Sequence, residues 1–250
     1  MKRRNFIQKT VASTAFISLN GLGLASCSQS TATKITILHT NDVHSHIEAF
    51  GPNDGRNSNK GGVARRATLV ENLRKENPNT LLLDAGDIFQ GTPYFNFYGG
   101  ELEFKLMSML KYDVATIGNH DFDNGLDGLQ KQLPHANFPF LIANYDFSDT
   151  ILKNTFKPYK VFRKGDLKIG VFGIGIELDG LVPKKLYQNT VYQDPISTAN
   201  HYANLLKQKE RCDVGDGHWQ GYSDRDIYDK ELGEHGFQGH GRVDLDENTS

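Results

Sequence analysis

Leu81-Leu82-Leu83-Asp84-Ala85-Gly86-Asp87 sets an apolar run directly before a glycine and a carboxylate. The run reads as a β-strand over Leu81–Ala85, and the glycine lets the chain turn sharply off its end. The same order recurs on either side of it. Lys34–His39 precedes Asp42-Val43-His44, and Val114–Ile117 precedes Gly118-Asn119-His120-Asp121-Phe122-Asp123. Polar groups at strand C-termini, with helical segments between the strands, are how α/β proteins collect a site from distant sequence.

The segments between fit that scheme. Val63, Ala67, Val70 and Leu73 recur at helical spacing and predict a helix over 63–77, ended by Pro78-Asn79. Glu101–Leu110 predicts a second helix with Leu102, Leu106, Met109 and Leu110 inward, and Asn124–Leu133 a short third. Phe138–Asn144 reads as a strand, Val161–Arg163 and Lys168–Ile174 as a hairpin, and Ile196–Glu210 as another helix. Phe50–Gly62 and Gly91–Gly100 read as loops, the second rich in Tyr and Phe. Residues 215–250 are crowded with Gly, Asp and Glu and show no period, so by composition they read as loop or disorder.

The amino terminus reads as a targeting segment. Lys2, Arg3, Arg4 and Lys9 form a basic region, Val11–Ala25 is moderately apolar, and Leu24-Ala25-Ser26-Cys27 closes it. Arg3-Arg4-Asn5-Phe6-Ile7 resembles a twin-arginine export motif. Leu24–Cys27 resembles a bacterial lipobox, which implies cleavage before Cys27, a lipid anchor on it, and Ser28–Thr33 as a polar tether. The expectation is an exported protein of a bacterium, periplasmic or held to the membrane as a lipoprotein. Loss of the four basic residues moves the formal net charge from −2 to −6. With no basic stripe, nucleic acid is not an expected partner. Cys212 alone remains beyond the lipobox, so there is no disulfide framework and no cysteine-rich zinc site.

Carboxylate, imidazole and amide groups suit hard or borderline divalent ions, and the chain reads as a metal-dependent hydrolase. Asp42 and His44 flank one residue, so in an extended segment both project to one face and can chelate one ion. Alone, the pair also reads as a surface turn capped by an aspartate. Asp87 could bridge two cations through its two oxygens, or cap a helix or turn. Asn119 could offer its amide oxygen, and Asp123 could accept one N–H of His120 and fix its tautomer. The same three residues also fit a polar turn. Asp84 and Asp121 are expected to satisfy backbone or neighbouring loops.

In order, Asp-x-His, Gly-Asp and Gly-Asn-His-(Asp/Glu) at strand ends resemble the calcineurin-like metallophosphoesterases. Ile37–His46, Gly61–Arg65, Leu83–Thr92 and Ile117–Asp123 are similar to the bacterial 5′-nucleotidase/UDP-sugar hydrolase group, over residues 34–214. The resemblance implies a layered α/β/β/α sandwich, incomplete at the C-terminus. It also implies two divalent ions, with zinc, manganese or iron all suited. Asp42 and His44 would then ligate one ion, Asp87 bridge, Asn119 ligate the second, and His120 with Asp123 form the catalytic pair. A small phosphate ester, nucleotide by analogy, would be attacked by hydroxide held on the dinuclear centre.

The family's later Ser-His or Gly-His and Gly-His-x-His motifs have no clear counterpart. Arg211-Cys212-Asp213-Val214 resembles the start of the strand that leads to the first, after which the match stops; His218, His235 and His240 follow in the tail, where Gly239-His240-Gly241-Arg242 has half of the second motif. The expected organisation is an export signal over 1–27, a tether over 28–33, a partial metallophosphoesterase domain over 34–214 and a divergent tail over 215–250. The alternative is an inactive or truncated exported lipoprotein with at most one metal site.

Overall fold

A computed structural model describes residues 33–219 and two short strands at 237–238 and 242–243. The signal, lipobox and most of the tether, together with His235 and His240, lie outside the described residues.

Three strands, β1 (Thr36–Thr40), β2 (Thr80–Asp84) and β3 (Val114–Ala115), form a parallel sheet in that order, with Ile37 opposite Leu81 and Leu83 opposite Val114. The connections carry helices α1 (Val63–Glu76), α2 (Pro93–Tyr98) and α3 (Glu101–Met109), and α4 (Gly125–Gln132) follows β3. Because the strands are parallel, all three C-terminal ends open on one edge. That edge carries the site.

The second sheet is built on a hairpin. Strands β5 (Tyr159–Lys164) and β6 (Leu167–Ile174) pair antiparallel through the two-residue turn Gly165-Asp166, with Gly165 at φ 57°. Strand β8 (Val214–Trp219) adds parallel to β6, and β10 (Arg242–Val243) and β9 (Phe237–Gln238) extend the sheet antiparallel. Alternation along β2 and β6 explains the layers. Leu81, Leu83, Ile169 and Val171 point between the sheets. Leu82 faces the helices, where Phe104, Leu126 and Leu129 pack. A short α5 (Lys184–Tyr187) precedes α6 (Pro195–Asn204). Phe172 and Ile174 face α6, meeting Ala199 and Leu206. The result is helix, sheet, sheet, helix.

Several elements differ from the sequence reading. The tail read as loop or disorder from 215 begins as strand β8. Gly215, Asp216 and Gly217 have poor β propensity, but pairing with β6 overrides it. The strand read at Phe138–Asn144 is reduced to bridges at Phe140 and Leu141, since Pro139 has no N–H to give a ladder. A two-residue strand, β4 (Tyr145–Asp146), follows and pairs with β7 (Val191–Tyr192). The loop read at Gly91–Gly100 holds α2, with Pro93 in its first turn and Gly99 left-handed at its end. The Ile196–Glu210 helix passes from α6 into a π-turn over Leu205–Lys209. In α3 the buried face is Glu103, Phe104, Met107 and Leu110, which leaves Met109 75% exposed.

Candidate metal centre

The loops after β1 and β2 run side by side beyond the sheet. Asp42 N–H donates to Gly86 O (3.0 Å), His44 N–H to Asp87 O (3.0 Å) and Ser45 N–H to Ile88 O (2.9 Å). To keep this pairing while turning, Asp42, His44, Ser45 and Asp87 take left-handed φ values of 51°, 47°, 55° and 53°. Such conformations cost about 1–3 kcal/mol each and persist where surrounding structure holds them, characteristically at functional sites. Gly86 and Gly118 supply the remaining closeness. A Cβ on Gly86 would stand 2.4 Å from Gly118 N, and one on Gly118 would stand 2.2 Å from Asp87 Oδ1.

Ligand atoms of Asp42, His44 and Asp87 all lie within 4.8 Å of one another. His44 Nε2 is 3.8 Å from Asp42 Oδ1 and 3.9 Å from Asp87 Oδ2. Its other nitrogen, Nδ1, is 3.2 Å from the Phe89 carbonyl, so Nδ1 carries the proton and Nε2 is left to face the carboxylates. Burial raises the pKa of Asp87, opposed by the N–H of His120 and by the neighbouring histidines. Two carboxylates and an oriented imidazole fit a divalent ion, whose charge would offset the desolvation of Asp87.

The third loop closes on this group. The His120 backbone N–H donates to Asp87 Oδ1 (2.9 Å), and its ring lies 5.1 Å from the His44 ring, centre to centre. His120 Nδ1 is 3.0 Å from Asp123 Oδ2, which leaves Nε2 as the free nitrogen of a part-exposed imidazole. Asn119 precedes it at the head of the short helical turn His120–Phe122. The six residues named from sequence therefore stand on three neighbouring loops, and the trio whose ligand atoms could hold one ion is Asp42, His44 and Asp87.

Asp121, expected from sequence to satisfy backbone or neighbouring loops, does so and braces them. Asp121 is buried, and its carboxylate accepts four backbone N–H groups: Ile88 (2.9 Å) and Phe89 (3.0 Å) on Oδ1, Gly118 (2.8 Å) and Asp87 (3.1 Å) on Oδ2. Burial, and next the Asp87 charge, push its pKa up, while the N–H groups of Gly118 and Phe89 oppose this by bonding the ionised form. The sequence did not show how many donors it would meet or which loops would supply them. Asp121→Ala would strip partners from four buried N–H groups, and a loss of at least about 3 kcal/mol in urea denaturation is expected. A variant as stable as wild type would show that the clasp contributes nothing.

Asp84 sits beneath, accepting Thr40 Oγ1 (2.5 Å) and Gly86 N–H (3.0 Å). Burial pushes its carboxyl up to about 7. An unfolded aspartate ionises near pH 4 (~3.9), so between there and about 7 the folded metal-free chain holds a proton the unfolded chain has released. Stability from this group is full below the lower value and is lost as pH rises through the upper one. Asp84→Asn stays neutral throughout, so urea denaturation should show a weaker decline from about pH 4 to about pH 8 than in wild type. Equal slopes would contradict this.

The tail contributes one imidazole among the described residues. His218, on β8, is buried, with its ring 6.4 Å from that of His39 and Nδ1 3.9 Å from Asp216 Oδ2. Asp216 is buried, whereas His39 is exposed.

Comparison with known proteins places this geometry. A sequence model of the calcineurin-like phosphoesterase family matches residues 35–242, extending past Val214. The 5′-nucleotidase of Vibrio cholerae is 36% identical, covering 97% of this chain and 43% of its own length. A snake venom 5′-nucleotidase of Crotalus adamanteus is 46% identical over 147 residues, which is 56% of this chain and 25% of that protein. The crystal structure of a 5′-nucleotidase precursor from Thermus thermophilus superposes with a TM-score of 0.64 at 33% identity, covering 74% of this chain and 37% of that one. The chain thus spans between a quarter and less than half the length of these relatives. With both the matched residues and the fold in agreement, the chain belongs to the calcineurin-like phosphoesterase family.

Proposed function

We propose that the chain is the catalytic part of an exported, metal-dependent phosphoester hydrolase acting on nucleotides or related phosphate esters. One observation carries the reading: the Asp42–His44–Asp87 group lies beside the paired His120 and Asp123. Asp42 and His44 hold one divalent ion, Asp87 bridges, and the Asn119 amide oxygen offers a ligand to a second. When bound, the ions supply Lewis-acid polarisation of phosphoryl oxygens and activation of water. Asp123 holds the Nδ1 proton of His120 and fixes its ring. Nε2 then faces the reacting group, where it stabilises developing negative charge or gives a proton to the leaving oxygen. The 5′-nucleotidase relatives favour a nucleotide as substrate.

The test is a phosphate-release screen on aryl phosphate and nucleoside monophosphates. Release that falls to background with a chelator and returns with zinc, manganese or iron is expected; no release from any ester with any of these metals would sink the reading. A second reading is an exported lipoprotein binding a single ion without turnover. It is favoured by the fact that just one cluster of three or more acidic, histidine or cysteine ligands occurs among the described residues. One ion per chain with no release selects it. For localisation we propose a lipid on Cys27, and mass spectrometry finding an unlipidated mature terminus beyond Cys27 would exclude it.

A further inference from the structure

A cavity of about 30 Å³ lies between α1, α3 and the loop that carries His44. Its walls are mostly apolar, formed by Val43, Ile47, Ile88, Leu106 and Met107 among others. Two polar side chains on that wall stand out. Glu103, on the buried face of α3, is 5% exposed, and Ser45, next to His44, is 1% exposed. Among the described residues, neither the carboxylate oxygens of Glu103 nor the Ser45 hydroxyl have a hydrogen-bond partner.

A carboxylate taken out of water without a partner is costly as an anion, and a cation placed against it would offset that cost. Arg66 also lines the cavity, where its Nη1 donates to the Tyr112 hydroxyl at 3.3 Å. The space holds about two water-sized spheres, too little for an organic amine and enough for a bare or singly hydrated ion. The donors are three hard oxygens carrying one negative charge. Beside Arg66 a monovalent ion adds one positive charge and a divalent ion two, so the monovalent ion is the better fit.

We propose that this cavity binds a small monovalent cation, sodium or potassium, between the Glu103 carboxylate and the Ser45 hydroxyl. The ion braces the loop on which His44 stands. Ser45 is already fixed through its backbone, with N–H to Ile88 O (2.9 Å) and its carbonyl accepting from Thr92 Oγ1 (2.8 Å). A ligand on its side chain ties α3 to that same residue. The site depends on the cavity alone and not on the phosphoester reading.

The test is the melting temperature of the full chain in sodium, potassium and choline chloride at equal concentration, choline being too large to enter. Wild type should melt about 2–4 °C higher in one alkali salt than in choline. Glu103→Gln should erase the difference. If that variant does not fold, Ser45→Ala carries the test and should shrink the difference. Equal melting of wild type in all three salts overturns the proposal, as does a difference that survives unchanged in the variant that folds.

Discussion

Asp87→Ala is expected to lose both the metal and the activity. One oxygen of Asp87 faces His44 Nε2 at 3.9 Å, and the other accepts the His120 N–H at 2.9 Å. The same carboxylate therefore belongs to the proposed ion-binding group and ties the third loop to it. Alanine removes a charged ligand and leaves the His120 N–H without its acceptor. Metal retained after dialysis should fall to less than about a tenth of wild type, and phosphate release should fall by about 10³-fold or more. Asp87→Asn separates the two roles, since it keeps an acceptor for His120 but lacks the charge. It should stay folded and bind metal poorly. Elemental analysis beside a phosphate assay reads both quantities, and an alanine variant with wild-type metal content would contradict the bridging role.

The second large effect is the converse. His120→Ala should retain nearly all metal while turnover falls by about 10²–10⁴-fold, the range for loss of a general acid or charge-stabilising imidazole. His120 touches the centre through its backbone N–H, which alanine keeps, and its ring is held by Asp123 rather than by the ion-binding trio. Asp123→Asn should cost less, about 10–100-fold, because it misorients the ring without removing it. Activity equal to wild type in His120→Ala would show that the ring takes no part in the reaction. Metal loss in that variant would instead make the imidazole a ligand.

Strands β1, β2 and β3 were legible because each is an apolar run abutting a polar cluster, and parallel pairing then brings the clusters to one edge. The reading failed where tertiary pairing decides the conformation. Nothing in Gly215-Asp216-Gly217 announces a strand, and β8 exists because β6 offers it a register from Ile169 to Ile174. Helix α2 did leave a signal, in Pro93 near its start and Gly99 at its end, which the aromatic composition of Tyr94–Tyr98 obscured. Met109 was misplaced because Phe104, Met107 and Leu110 set the buried stripe of α3 and turn Met109 outward.

At the site, the ligand types were readable, as was the expectation that Asp84 and Asp121 serve the backbone, but the particular groups each would meet were not. A carboxylate that clasps four N–H groups from two loops, as Asp121 does, looks in sequence like any acid in a turn. The Phe89 carbonyl that orients His44 carries no side-chain signature at all. Glu103 reads as a solvated helix residue until the packing of Phe104 beside it shows which way the helix faces. These are consequences of long-range geometry, which spacing along one chain does not encode.

The most direct measurement is titration of the metal-stripped chain with Mn²⁺, read by the loss of the free-ion paramagnetic resonance signal, in wild type and in the triple variant Asp42→Ala, His44→Ala, Asp87→Ala. Saturable binding in wild type that disappears in the folded variant is the expected result. Absence of binding in wild type, or binding that survives intact without those three side chains, would contradict a metal centre at the strand tips.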